Sequence, residues 1–430
     1  MLLKKFNSML QYGMILSIVL TNTIWTKMVK SPLTNGRLTL VFSFICAVLV
    51  CKNIIKQKKT TINKRFCIYL VITVIMSFVS AGVLHDQRVT YVMYFIIPLI
   101  LCVLFFGTEE NVEDFWKRFV NAVAVISAIS LVFYISGSIL KILKPTGITT
   151  YTWTWNIRCN NWYNLYYESY YGRISTLPFL SRKNTGMYTE PPMFMVFVCT
   201  ALSAELSFIK KPRKTMLLVL SLTLGTIMST TGYICFILFI GLFFMLSGKG
   251  KVIKILKMLI LPVIIVLVYV FVSKLYMEKI NTEAGNESGS IRMNHMITAF
   301  QIWLRNPLFG IGYGQTEAFI EASDNSFGSS IGLPLFFAFS GAWMGLLLLI
   351  PYTLAVIKSI HNNRRHLYFL FGMFFVLFLT AVNYLPIMIC FMAMVLSGRL
   401  GKNDDDSVAR WYDSREMQYL SNVLLYPKGD

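Results

Sequence analysis

The residues best suited to chemistry are a few cations, one carboxylate and one imidazole, held in two polar stretches between long apolar runs. Arg292 and His295 lie three positions apart in Ser288–Gly314, SGSIRMNHMITAFQIWLRNPLFGIGYG, so a helix places them on one face. Ser288 and Ser290 are suited to cap that helix, and Met296, Phe300, Trp303 and Leu304 give it an apolar side. Asn306-Pro307 ends it, and Gly310, Gly312 and Gly314 follow as a turn able to approach other backbone closely. The second stretch reads Arg182-Lys183-Asn184-Thr185-Gly186-Met187-Tyr188-Thr189-Glu190-Pro191-Pro192, with Glu190 at the point of entry into an apolar run.

A planar, permanently charged guanidinium suits a diphosphate. A sugar carried on a lipid diphosphate loses that diphosphate on transfer, and arginines can stabilise the departing charge without a metal. A carboxylate or imidazole can take the proton from the attacking hydroxyl. Arg292, Glu190 and His295 are therefore the candidate catalytic residues, with Arg182, Arg173, Asp324 and Tyr313 as candidate substrate contacts. Two plainer readings stand beside this one: a linker helix on the membrane surface, and an Arg182–Glu190 ion pair that fixes the loop. No cofactor is expected. No metal-ligand spacing, nucleophile elbow, Walker loop or dinucleotide fingerprint is present.

Tyr151, Trp153, Trp155, Trp162, Tyr163, Tyr166, Tyr167, Tyr170 and Tyr171 crowd one stretch. Trp and Tyr serve as anchors at membrane interfaces. Their flat, polar-edged rings also suit sugar faces, so Trp153, Trp155 and Trp162 are candidate glycan contacts.

The elements that must position these groups are membrane helices. The chain has 430 residues, 56% hydrophobic and 14% charged, with mean hydropathy +0.60, too apolar for a soluble domain. Its net charge of +20 falls mostly in short loops on one side, the positive-inside pattern, and no basic soluble domain is present to bind nucleic acid. The expected fold is an all-α polytopic bundle of about twelve spans. They fall near Leu10–Trp25, Leu38–Ile55, Phe66–Leu84, Thr90–Phe106, Phe119–Leu143, Pro192–Ile209, Thr215–Met228, Tyr233–Leu246, Met258–Leu275, Leu333–Ile357, Leu367–Val382 and Pro386–Leu396. The chain is then a single membrane domain, 1–430, with external loops at 144–191 and 276–332, a mixed-charge inner loop at Thr108–Arg118, and a cytoplasmic tail at 401–430. Both termini are expected in the cytoplasm, without a cleaved signal peptide. Of eight cysteines only Cys159 falls in an expected external loop, so no disulfide is expected.

In this order and placement, five short segments resemble the Wzy/WaaL superfamily of O-antigen polymerases and ligases. Arg292 followed by a helix and Asn306-Pro307-Leu308-Phe309-Gly310-Ile311-Gly312 resembles that group's Arg…N-P-L-x-G-x-G signature. Arg182, Gly186 and Glu190-Pro191 are similar to the R-x-x-x-G-x-x-x-E-P element of Wzy-type polymerases. Ser229-Thr230-Thr231-Gly232-Tyr233, Asn325-Ser326-Phe327 and Gly341–Gly345 resemble further segments of the group. Two departures favour polymerase over ligase: Asp324-Asn325 stands where the ligases carry His-Asn, and Ser229-Thr230 where they carry Ser-Arg. The resemblance implies a membrane glycosyltransferase bundle of the GT-C kind in the bacterial cytoplasmic membrane. It implies metal-independent, inverting transfer of a glycan from undecaprenyl diphosphate to a fresh lipid-linked repeat unit on the outer face. Arg292 would meet the diphosphate. Expected partners are that lipid-linked oligosaccharide, membrane lipid, a chain-length regulator and a flippase, with ligase or flippase activity as the alternatives.

Overall fold

The computed structural model describes residues 2–28, 31–56, 64–83, 88–109, 112–152, 156–168, 182–246, 283–323, 331–380, 382 and 384–401. The expected span Met258–Leu275, the tail beyond 401, and the candidate residues Trp153, Trp155, Arg173 and Asp324 lie outside them.

The helices are α1 (Leu2–Val19), α2 (Asn35–Lys56), α3 (Lys64–Val83), α4 (Arg88–Thr108) and α5 (Val112–Ile139), followed after a small sheet by α6 (Pro191–Phe208), α7 (Lys214–Ile227) and α8 (Thr230–Leu246). After these come α9 (Glu283–Arg305), α10 (Thr316–Ser323), α11 (Leu333–His361), α12 (His366–Leu379) and α13 (Pro386–Leu396). Among the described residues, α2, α4, α5, α6 and α11 are long and apolar enough to cross a membrane, and five shorter apolar helices accompany them. The chain is a mostly helical, multi-pass membrane protein.

Helix α6 is the hub, packing against α5, α7, α8 and α12. Phe194, Met195, Val196 and Val198 are completely buried, so its side chains are apolar all round, as a helix enclosed by others requires. Near its far end Glu205 is fully buried and is gripped by Arg213: Nη2 donates to Oε2 at 2.7 Å, Nε to Oε1 at 3.1 Å, and the backbone N–H to Oε1 at 2.6 Å. A carboxylate there is tolerable only with this charge and these donors.

Four expectations give way. The bundle is not purely α: β1 (Gly147–Thr152), β2 (Asn156–Trp162) and β3 (Tyr166–Glu168) form an antiparallel sheet in the order β1-β2-β3 within the expected 144–191 loop. Ile, Thr, Tyr and Trp favour a pleated surface, and Tyr151, Ile157 and Cys159 supply its buried side. The first helix ends at Val19 instead of Trp25, because Asn22 takes a left-handed φ of 54° and exchanges amide bonds with Asn35, which opens α2. The Thr108–Arg118 loop is mostly helix, since α4 runs to Thr108 and α5 begins at Val112 with Glu113 and Asp114 in its first turn, where acids suit the helix dipole. Finally, α9 starts at Glu283, so Ser288 and Ser290 lie within the helix, past its first turn, instead of at its N-cap.

Candidate functional site

The motif from Arg182 to Glu190 is fixed by its own backbone. Asn184 is fully buried; its N–H donates to Thr226 O and its Nδ2 to Thr226 Oγ1, both at 3.0 Å. Its Oδ1 accepts from the Gly186 N–H at 3.0 Å and from the Ser130 hydroxyl. Gly186 has φ +56°, and a Cβ there would meet the Phe194 ring at 3.1 Å, so both conformation and space call for glycine. Met187 O accepts from Ile24 N–H, the Thr189 N–H donates to Asn22 O, and the Tyr188 hydroxyl donates to Val19 O at 3.0 Å. The Tyr188 ring stacks on Phe194 and Phe197. This leaves Glu190 in extended conformation as the N-cap residue of α6, with Pro191 and Pro192 preset for the first turn.

The other motif is fixed through a helix break. Gly341 interrupts α11 with φ 77° and ψ −176°. The carbonyls of Ala338 and Phe339 then lack helical donors, and the N–H groups of Ile311 and Gly312 supply them at 3.0 Å each. In return Ala342 N–H donates to Pro307 O at 2.8 Å. A Cβ on Gly310 would fall 2.5 Å from Ala338 O, and one on Gly341 2.1 Å from Leu308 O. Asn306-Pro307-Leu308-Phe309-Gly310-Ile311-Gly312 is thus a backbone plug seated in the broken helix. It carries α9, which packs on α10 and α11 through Ala299 and Ile302. The opposite side of α9 leaves Met293, Ile297, Phe300 and Leu304 between 50% and 61% exposed at helical spacing, as a helix facing lipid does.

These two fixed segments bring their charges together. Burial pushes the half-exposed Arg292 guanidinium below its usual pKa, and the nearby Glu190 carboxylate pushes it back up. Lys183 is also half-buried; burial lowers its pKa, and the charge of Arg292 lowers it further. Arg292 therefore lies within electrostatic reach of both Glu190 and Lys183. Arg182 does not pair with Glu190. Its guanidinium is bound to Glu168 of β3, which also accepts from Asn160 Nδ2 at 3.0 Å, and the Arg182 carbonyl accepts from the Tyr134 hydroxyl at 2.7 Å.

His295 is buried, with its ring edge-on to Phe319 of α10 at 5.5 Å, and burial holds it below the usual imidazole pKa. Tyr313 packs between Tyr91 and Tyr384, at 5.4 and 4.7 Å between ring centroids. Trp162 is not an open sugar platform: it is 2% exposed, packs on Gly137 and Tyr166, and donates through Nε1 to Leu143 O at 3.1 Å. The reason is that α5 ends over that part of the sheet, so the ring fills the joint. Sequence reasoning missed Lys183 as the second cation and Glu168 as the partner of Arg182. Lys183 adjoins Arg182 in sequence, but only the sheet shows which of the two is neutralised. Among the described residues no three His, Cys, Asp or Glu side chains are grouped so as to hold a metal ion.

The described residues form a multi-pass helix bundle in which two backbone-locked segments carry Arg292 and Glu190. Residues 215–338 match the family model Wzy_C, described as O-Antigen ligase; this stretch contains Arg292, His295 and the backbone plug, whereas Arg182, Lys183 and Glu190 precede it. The match covers under a third of the chain and supports a relation to the Wzy/WaaL O-antigen polymerase and ligase superfamily, whose members are glycosyltransferase-like membrane enzymes acting on lipid-linked oligosaccharides. No curated protein matches it.

Proposed function

We propose that the chain is the polymerase member of this superfamily, joining oligosaccharide repeat units carried on undecaprenyl diphosphate at the outer face of the bacterial cytoplasmic membrane. The observation that carries the reading is Arg292, held where both Glu190 and Lys183 act on its charge. Arg292 and Lys183 receive the diphosphate of the donor. The acceptor sugar hydroxyl attacks the anomeric carbon. The bond from that carbon to the diphosphate oxygen breaks, and the diphosphate leaves with the electron pair. Glu190 accepts the hydroxyl proton or holds the hydroxyl in line. The two fixed cations stabilise the charge that develops on the leaving group, the part a divalent metal plays elsewhere. His295, buried and biased toward its neutral form, holds α9 against α10. Lipid-facing residues of α9 leave room for a substrate that arrives through the bilayer.

The matching family's description, O-Antigen ligase, favours a ligase as the second reading, and Asp324-Asn325 and Ser229-Thr230 speak against it by departing from the ligase pattern. Deletion followed by analysis of surface glycan separates the two. Loss of the polymerase leaves single repeat units attached to the surface acceptor; loss of a ligase leaves none attached and lets lipid-linked polymer accumulate. Arg292→Ala is expected to reproduce the deletion, and full-length polymer from that variant would overturn the assignment of Arg292.

A further inference from the structure

The external end of α5 and the adjoining sheet carry an apolar patch that the proposed chemistry does not use. Leu140, Ile142, Leu143, Tyr163 and Leu165 are between 39% and 71% exposed; the first three end the expected span, and Tyr163 and Leu165 belong to the loop expected to face water. Exposed apolar side chains gathered at one end of a helix and its adjoining turn mark an interaction surface.

Its depth identifies the partner. Helix α5 opens with Glu113, Asp114, Lys117 and Arg118 and is then apolar from Phe119 to Ile139. At about 1.5 Å per residue that run is roughly 31 Å long, the thickness of the hydrocarbon core. Leu140 therefore leaves the helix at the boundary between acyl chains and headgroups. The lipid-facing side of α5, marked by exposed Val125, Val132 and Ile135, runs on into Leu140 and Ile142. Exposed Lys141 and Lys144 bracket the patch with positive charge.

The β2–β3 turn reaches deeper. Tyr163 and Asn164 both adopt left-handed backbone, with φ 54° and 56°, which folds the turn back toward the bundle. The Tyr163 ring lies 6.2 Å from that of Phe133, centroid to centroid, and Tyr166 stacks on the same Phe133 at 6.4 Å. Phe133 stands about 9 Å below the end of α5 by the same rise per residue. Tyr163, 68% exposed, is thus held at a level where the surroundings of the bundle are lipid, with an amphipathic ring of the kind favoured at that level.

We propose that this corner of the sheet is a membrane wedge: the β2–β3 turn and the Leu140–Lys144 segment are inserted among the phospholipids of the adjacent leaflet, with Lys141 and Lys144 on their phosphates. The wedge ties the sheet, and through the Glu168–Arg182 pair the segment bearing Lys183, to the level of the headgroups.

The test uses the full-length protein in nanodiscs of phosphatidylethanolamine and phosphatidylglycerol, with p-benzoylphenylalanine placed singly at Tyr163, Ile142 or Arg158. Arg158 lies on the exposed polar side of β2. After irradiation, intact mass should show a phospholipid adduct at 163 and at 142, and loss of that adduct at 158. Adducts to a second copy of the chain at 163 and 142, or equal lipid labelling at all three positions, would overturn the proposal. If the 163 variant does not fold, the pair 142 and 158 decides alone. None of these readings depends on transferase activity.

Discussion

Two neighbouring cations, Arg182 and Lys183, have opposite fates in this structure, and that contrast gives the sharpest prediction. Arg182 is bound to Glu168, whose side chain is only 8% exposed, so its charge is already matched. Lys183 has Arg292 for a neighbour and no ion pair among the described residues. Removing Lys183 should remove one stabilising contact from the departing diphosphate. Deleting a single charge-stabilising donor from a preorganised site typically costs about 10²–10³ in rate. Lys183→Gln is therefore expected to lower kcat by about 10²-fold with the fold intact. Neutralising the other pair together, as Arg182→Gln with Glu168→Gln, leaves no buried charge behind and should keep kcat within about threefold, since an ion pair that is partly exposed contributes about 1 kcal/mol or less. The assay is elongation of lipid-linked repeat units by purified full-length protein, with product length read on a gel. A pH profile adds a check. A cation is required, and the lowered pKa of Lys183 means that its charge is lost before pH reaches the ordinary lysine value. Lys183→Arg should carry the alkaline limb to higher pH. Equal losses from Lys183→Gln and the Arg182–Glu168 double variant would refute the division of roles, as would near-full activity of Lys183→Gln.

Further outcomes follow from the packing. Gly341→Ala puts a Cβ 2.1 Å from Leu308 O at a positive φ, and should cost about 3 kcal/mol or more and most of the activity, read by thermal unfolding in detergent and by elongation. Glu205→Ala strands Arg213 and should destabilise by about 3 kcal/mol, while adding Arg213→Met should recover most of that loss in the same melt. His295 is pushed below the usual imidazole pKa by burial, so the unfolded chain binds its proton more readily than the folded one; stability is full above about pH 6.5 and falls as the pH drops through the lowered value. His295→Phe should flatten that acid-side slope in melts taken across pH 4.5 to 7.

Much of the plan could be read from the sequence because hydrophobic length is a strong signal. The runs at Leu38–Ile55, Thr90–Phe106, Pro192–Ile209 and Leu333–Ile357 became α2, α4, α6 and α11 with small shifts at their ends. The close approach of the Gly310–Gly314 turn was legible too, and a Cβ on Gly310 would fall 2.5 Å from Ala338 O, whereas Gly186 and Gly341 were marked only by the resemblance. The sheet was not legible, because its aromatic residues suit an interfacial belt or a sugar platform as well as a strand. Composition cannot show that Trp162 and Tyr166 fill a joint with α5. Nor could sequence assign the partner of Arg182. Glu190 and Glu168 are both carboxylates at plausible range, and the choice rests on β3 pairing with β2 beside Asn160.

The break in α11 explains how a mobile class of residue, an arginine on a surface helix, is held for chemistry. Two carbonyls freed by Gly341 must find donors, because each one left unsatisfied in a dry bundle costs several kcal/mol. The only way the described structure meets that demand is to seat Ile311 and Gly312 there, and so the end of α9 has one register against α11. From Arg305 back to Arg292 the helix is continuous, a rigid arm of about 20 Å. Glu190 is delivered separately, by a segment whose bonds run to α1, α5 and α7. Glu190 and Arg292 are therefore carried by two separate backbone frameworks among the described residues. Substitutions at Arg292 or Lys183 should for that reason remove catalysis with little loss of stability, whereas substitutions at Gly310 or Gly341 should remove both together.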